Sequence, residues 1–260
     1  MKRPSNMLWQ CCTTAILVGT ALLVAGSGLA GSNIFSSPIY RADDYYQGRR
    51  NLENVRKALG ILQEDVVRHP SDYEAWWRIS EYDCYLARHL ADRRGKSIFE
   101  DGVAAGKKAE ALEPRRPEGH FWTGANEGLV AEDSNLLAAL RMVASIRNEM
   151  QTVMKLAPGY QQYGAERILG RLYFRLPFFA GGNKQLSIRL LKSCLKRYPN
   201  NSLTLLYLAD SYRAVGRREE ARGLLERMLK LCPDPIYGPE QADNQVVARE
   251  ELRKYFRVNE

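Results

Sequence analysis

Residues Tyr207–Pro233 read YLADSYRAVGRREEARGLLERMLKLCP. Apolar residues recur at helical spacing on both sides of a Gly216-Arg217-Arg218 break, and a proline closes the stretch. Two amphipathic helices joined by a tight turn account for this pattern. The small residues Ala209 and Ala221 let the antiparallel helices approach closely, and Leu205, Tyr212 and Leu225 fill the space beside them. Gly216 permits the turn between them.

The same arrangement recurs upstream. Glu166, Leu169-Gly170 and Tyr173 precede Ser187, Leu191 and Pro199; Trp76, Ile79-Ser80 and Asp83 precede Gly102, Gly106 and Pro114; His120, Thr123-Gly124 and Glu127 precede Ile146, Met150 and Pro158. A lone second helix, with Ala58, Leu62 and Pro70, opens the series. In every copy the first of the second-helix positions stands 12 residues before the proline. This is the tetratricopeptide signature, whose standard period is about 34 residues. The prolines lie 44, 44, 41 and 34 residues apart, so only the last interval is standard. The surplus falls between the two helices of a unit. From Asp83 to Gly102 and from Glu127 to Ile146 is 19 residues, against 9 from Tyr212 to Ala221. The third unit carries its surplus around Phe178–Gly182. The expected fold is all-α: a tetratricopeptide-like helical-hairpin solenoid over residues 49–260, with about ten helices and lengthened repeats. The segment DNQVVAREELRKYFRV, from Asp243, is expected to cap its end.

The N-terminus has a different character. Lys2 and Arg3 precede a run without charge from Pro4 to Tyr40, within which Gly28-Leu29-Ala30 reads as a cleavage site. A basic start, an apolar stretch and then small residues form an export pattern. The run is also long enough to span a bilayer, which takes about 20 residues. Residues 1–30 are therefore expected to be a signal peptide or a membrane anchor, and residues 31–48 a linker. Either way the remainder is expected to lie outside the cytoplasm, because Lys2 and Arg3 stay inside.

The formal net charge of +8 over 260 residues does not mark a nucleic-acid binder. Bases alternate with acids, as in Arg217-Arg218-Glu219-Glu220, and no zinc knuckle or RNA-recognition motif accompanies them. Cys84, Cys194 and Cys232 lie far apart without a Cys-x-x-Cys, which argues against metal binding and for burial as small apolar residues. A Cys194–Cys232 disulfide is the alternative in an oxidising compartment. His69, His89 and His120 form no zinc spacing and pair with no nucleophile. Ala180-Gly181-Gly182-Asn183-Lys184 lacks the spacing of a phosphate-binding loop and reads as an inter-helix turn. No catalytic constellation, cofactor motif or metal site is expected.

The runs PEGHFWTGANEGLVAE, ALRMVASIRNEMQTVMKLAPGY and ERILGRLYFRLPFFAGGNKQLSIRLLKSCLKRYPNN resemble the T-component family associated with TRAP transporters. The resemblance covers roughly Asn51 to Leu231. It implies a periplasmic helical-repeat protein that associates with the solute-binding protein of a carrier for small organic acids, and homo-oligomerisation, as a trimer. The lipid-anchoring cysteine of that family is missing, since Cys11 and Cys12 lie before or at the start of the apolar run. A weaker likeness runs to the regulator-of-microtubule-dynamics proteins, which share the Glu-Gly-His segment.

Solenoids bind along a concave face lined by first helices. Helical spacing places Trp77 and Glu81, Phe121, Arg167, Arg171 and Phe174, and Leu206, Asp210 and Arg213 on that face. Arg167 and Arg171 stand one turn apart, where like charges repel unless something negative answers them. They are expected to clamp a carboxylate of a partner protein or a small organic ligand, the alternative being a neighbouring acid such as Glu166. Trp122, Phe174 and Phe178 suggest a small-ligand cavity. The general alternative is an adaptor for other envelope proteins that uses the same face.

Overall fold

The computed structural model describes residues 37–90 and 95–256. The expected signal or anchor segment and its cleavage site lie outside the described residues. The described residues form eleven α-helices and no strand. They are α1 (Pro38–Gln47), α2 (Leu52–Arg68), α3 (Tyr73–His89), α4 (Gly95–Leu112), α5 (Pro117–Glu132), α6 (Leu136–Leu156), α7 (Tyr160–Arg175), α8 (Lys184–Arg197), α9 (Ser202–Ala214), α10 (Arg218–Leu229) and α11 (Gly238–Phe256). None of them is long and apolar enough to cross a membrane.

Local chemistry sets the helix ends. Asn51, Asp72, Asn135, Asn183 and Asn201 each accept a backbone N–H of the first turn that follows, which satisfies a donor with no partner inside the helix. The repeat prolines fall just past the ends of α2, α4, α6, α8 and α10. Gly216 takes φ 81°, the left-handed conformation that the turn from α9 to α10 requires.

Consecutive helices pair as antiparallel hairpins, and each hairpin packs on the next. The residues in register on the second helices (Ala58, Gly102, Ile146, Ser187 and Ala221) are all buried, as are Leu62, Gly106, Met150, Leu191 and Leu225 one turn on. The surplus residues of the first two full units are extra turns of helix. Helices α3 to α6 have 17, 18, 16 and 21 residues, against 13 and 12 for α9 and α10. In the third unit the surplus forms a 3-10 turn, Phe178–Ala180.

One expectation is corrected. Much of the stretch read as a linker is helix: Pro38–Gln47 forms α1, capped by Ser37 and packed on α2. The helix read as standing alone therefore has a partner, with Ala42, Ile39 and Tyr46 in the same core as Val55, Leu59 and Leu62.

A polar tie joins the first units. Asn126 donates to the Ser80 carbonyl at 3.0 Å, to Ser80 Oγ at 3.1 Å and to the Trp122 carbonyl at 2.9 Å, and Ser80 Oγ donates to the Gly102 carbonyl at 2.6 Å. Ser80, Gly102 and Asn126 are all buried, so α3, α4 and α5 are held in a fixed register. The approach leaves no room for a larger residue at Gly106, where a Cβ would meet Thr123 Oγ1 at 2.3 Å. Gly106→Ala is expected to cost about 1–3 kcal/mol and to lower Tm by several degrees in calorimetry. Gly223→Ala, with nothing within 4 Å of the new methyl, should raise Tm slightly instead.

Candidate functional site

The concave face is not an open groove. Helix α11 packs on α9 and α10 with Ala248 and Leu252, as a cap should, but its first turns extend back towards the start of the chain. Arg49, between α1 and α2, meets both carboxylate oxygens of Glu240 at 2.8 Å and donates to the Ile236 carbonyl at 2.5 Å. The guanidinium also lies over the rings of Tyr46 and Tyr85, at 5.2 and 5.6 Å. His89 of α3 lies 2.9 Å from the Asp243 carboxylate. Tyr237 donates to Gln161 Oε1 at 2.5 Å. The superhelix is thereby closed from its first hairpin to its last helix.

The closure shapes a cavity of about 920 Å³ along the axis, a size that suits a small-molecule site. Its wall is mostly apolar and aromatic, with Phe121, Trp122, Leu129, Ile168, Leu172 and Tyr207 among its residues. Of the residues expected on the concave face, Trp77, Glu81, Phe121, Arg167 and Arg171 line this cavity. Phe174 stands beside it, with the Arg171 guanidinium 5.3 Å from its ring. Leu206, Asp210 and Arg213 are placed differently. Leu206 belongs to the C-terminal core. Asp210 is buried between Arg171 at 2.7 Å and Arg213 at 3.0 Å, and Arg213 packs 4.0 Å over Tyr255 of α11. Helix α11 covers the inner stripe of α9, as the Asn244–Ser202 hydrogen bond at 3.0 Å also shows.

The two arginines of the expected carboxylate clamp have different partners. Arg171 is answered within the chain by Asp210 and, at 3.6 Å, by Glu132. Arg167 is buried and donates to the carbonyls of Gln161 and Gln162, both at 3.1 Å. These carbonyls are presented by an unusual turn. Gln161, Gln162 and Tyr163 take φ of 50°, 53° and 59°, a left-handed run without glycine. Such conformations cost about 1–2 kcal/mol per residue. Arg167, Tyr237 and Asn201, which donates to Gln162 Oε1 at 2.7 Å, hold the turn in place. Sequence reading missed Arg88, Tyr207 and Tyr237, which also line the cavity. Only the closed superhelix brings them together.

Two acids of α3, Glu81 and Asp83, make no ion pair among the described residues. Desolvation pushes the Glu81 carboxyl up to about 8; Arg78 and Arg49 pull it down, while Asp43 and Glu240 push it further up. Asp83, at the position of the repeat tyrosine, is likewise raised to about 8, by burial and then by Asp101. His120 sits at the α4–α5–α6 junction. Its Nδ1 lies 2.6 Å from Glu149 and 3.9 Å from Glu110, and its Nε2 is 3.1 Å from the Pro114 carbonyl. With acceptors at both ring nitrogens the imidazolium is favoured, and the Glu149 carboxylate raises its pKa. It ties three helices together, so its role exceeds packing. Of the cysteines, Cys84 and Cys194 are buried free thiols and Cys232 is exposed; no disulfide joins Cys194 to Cys232.

Family models for the tetratricopeptide repeat match residues 168–201 and 203–237, which are the α7–α8 and α9–α10 hairpins. The chain carries tetratricopeptide repeats. The lengthened first units lie outside the matched residues. No curated protein matches the chain. Among solved structures it is similar to TTC0263, a thermophilic tetratricopeptide-repeat protein of Thermus thermophilus, with a TM-score of 0.61 at 17% identity over 83% of this chain and 97% of that one. It is also similar to the MamA protein, with a TM-score of 0.47 at 14% identity over 84% of this chain and 95% of that one. At these identities the likeness is one of fold.

The raised carboxyls of Glu81 and Asp83 make the folded state bind more protons than the unfolded chain between the ordinary carboxylate range and about 8. Stability is then greatest below that window and falls as pH rises through it. Tm is expected to fall steadily from pH 5 to pH 8. Glu81→Gln combined with Asp83→Asn should flatten that slope in calorimetric scans across the range.

Proposed function

We propose that the protein is an exported, non-enzymatic scaffold that acts as an accessory component of a TRAP-type organic-acid transporter and docks the solute-binding subunit outside the cytoplasm. The family resemblance of the sequence supports this reading, and the repeat solenoid is an architecture built for contact with proteins. One observation carries it to a surface. Phe178 and Phe179 are 93% and 77% exposed, an apolar pair set on a rigid 3-10 turn. They directly follow Leu176 and Pro177, which belong to the cavity wall, so the pair stands at its rim. Aromatic anchors on a fixed turn are the usual centre of a protein contact. A cavity of about 920 Å³ is too small for a folded partner, so docking takes place on the rim and not inside the superhelix.

In-cell cross-linking and affinity capture of the full chain from source-cell envelopes should recover a solute-binding protein together with transporter subunits. The Phe178→Ser/Phe179→Ser variant should lose them while its Tm stays nearly unchanged, since exposed substitutions cost about 0.5 kcal/mol or less. Recovery of unrelated envelope proteins by both forms would favour the general-adaptor reading instead.

A further inference from the structure

The charges on the cavity wall do not balance. Most of its arginines are answered within the chain: Arg49 by Glu240, Arg78 by Asp43, Arg171 by Asp210, and Arg175 by Glu132. Two are not. Arg88 makes no hydrogen bond or ion pair among the described residues, and its exposed side chain lines the cavity. The carboxylates that act on it, Glu240 and Glu132, are already engaged by Arg49 and by Arg171 with Arg175. Arg167 has only the two backbone carbonyls as acceptors, and burial lowers its pKa, which shows that its charge is poorly answered.

These groups converge. The Tyr207 phenol lies within electrostatic range of Arg88, Arg167 and Arg171, with the Arg171 guanidinium 4.5 Å from its ring. Arg171 Nε is buried without a hydrogen bond, its nearest carboxylate being Glu132 at 3.6 Å. The cavity wall thus presents Arg88 and Arg167 as positive charges without a carboxylate partner among the described residues, beside apolar and aromatic residues such as Phe121, Trp122, Ile168 and Leu172. Burying the Arg167 charge against carbonyls alone is costly, and an anionic group with an apolar body answers both halves of the wall.

We propose that the axial cavity binds an amphipathic organic carboxylate, its carboxylate held by Arg88 and Arg167 beside Tyr207 and its apolar body against Phe121, Trp122, Ile168 and Leu172. This goes beyond the docking role and stands whether or not a solute-binding subunit docks on the rim.

The test is titration of the full chain with decanoate, decanol, decyl phosphate and acetate, read by calorimetry and by tryptophan fluorescence. Decanoate is expected to bind about tenfold or more tightly than decanol, and acetate weakly. Arg88→Gln should abolish that preference with Tm unchanged, because Arg88 holds no structural contact. Arg167→Gln should weaken binding too, but also lower Tm, because its carbonyl contacts support the left-handed turn. Equal binding of decanoate and decanol, an Arg88→Gln variant that binds decanoate normally, or absence of decanoate binding would overturn the proposal. Binding of decyl phosphate without decanoate would overturn it in favour of a phosphate-headed lipid.

Discussion

Arg49 is the constraint on which the closed form depends. A tetratricopeptide solenoid is held by contacts between neighbours, so nothing in the repeat itself requires its ends to meet. Here the guanidinium fork between α1 and α2 takes both oxygens of Glu240 and the Ile236 carbonyl, some 190 residues away along the chain. The rings of Tyr46 and Tyr85 fix its other face. The geometry is bidentate and largely sheltered, so the pair holds more firmly than an exposed ion pair would. Once it forms, the concave face becomes the wall of a cavity, and the partners of each inward-facing residue change.

Much of the fold was legible in the sequence because its rules are local. The small residues in register and the closing prolines each act within one hairpin, and they recur in the structure where the sequence placed them. The lengthened units were also legible as spacings, and they proved to be longer helices because the added residues continue the apolar period. Helix α1 was missed. It is short, it begins at the edge of the uncharged run, and its Asp43-Asp44-Tyr45-Tyr46 stretch reads as polar until Tyr46 stacks on Tyr82, with ring centroids 3.8 Å apart.

The cavity was only half legible. Helical spacing put Trp77, Glu81, Phe121, Arg167 and Arg171 on the inner side, because the first helices of successive units share one orientation. Spacing cannot show which of them will be covered. Leu206, Asp210 and Arg213 lie on the matching stripe of α9, yet α11 takes that stripe for itself. The same limit applies to charge. Arg167 and Arg171 looked alike in sequence, but Asp210 answers one, and the other is left with carbonyls. Arg88 gave no signal at all, since it stands near the end of α3 in a charged stretch and gains its meaning only from the cavity it lines.

The most direct test of the closed superhelix is a double-mutant cycle on Arg49 and Glu240, measured by urea unfolding of the Arg49→Met, Glu240→Gln and combined variants. A coupling of about 1–3 kcal/mol between the two positions is expected, because each single change strands its partner at the rim. Effects that add within about 0.5 kcal/mol would contradict the closure, and with it the enclosed cavity.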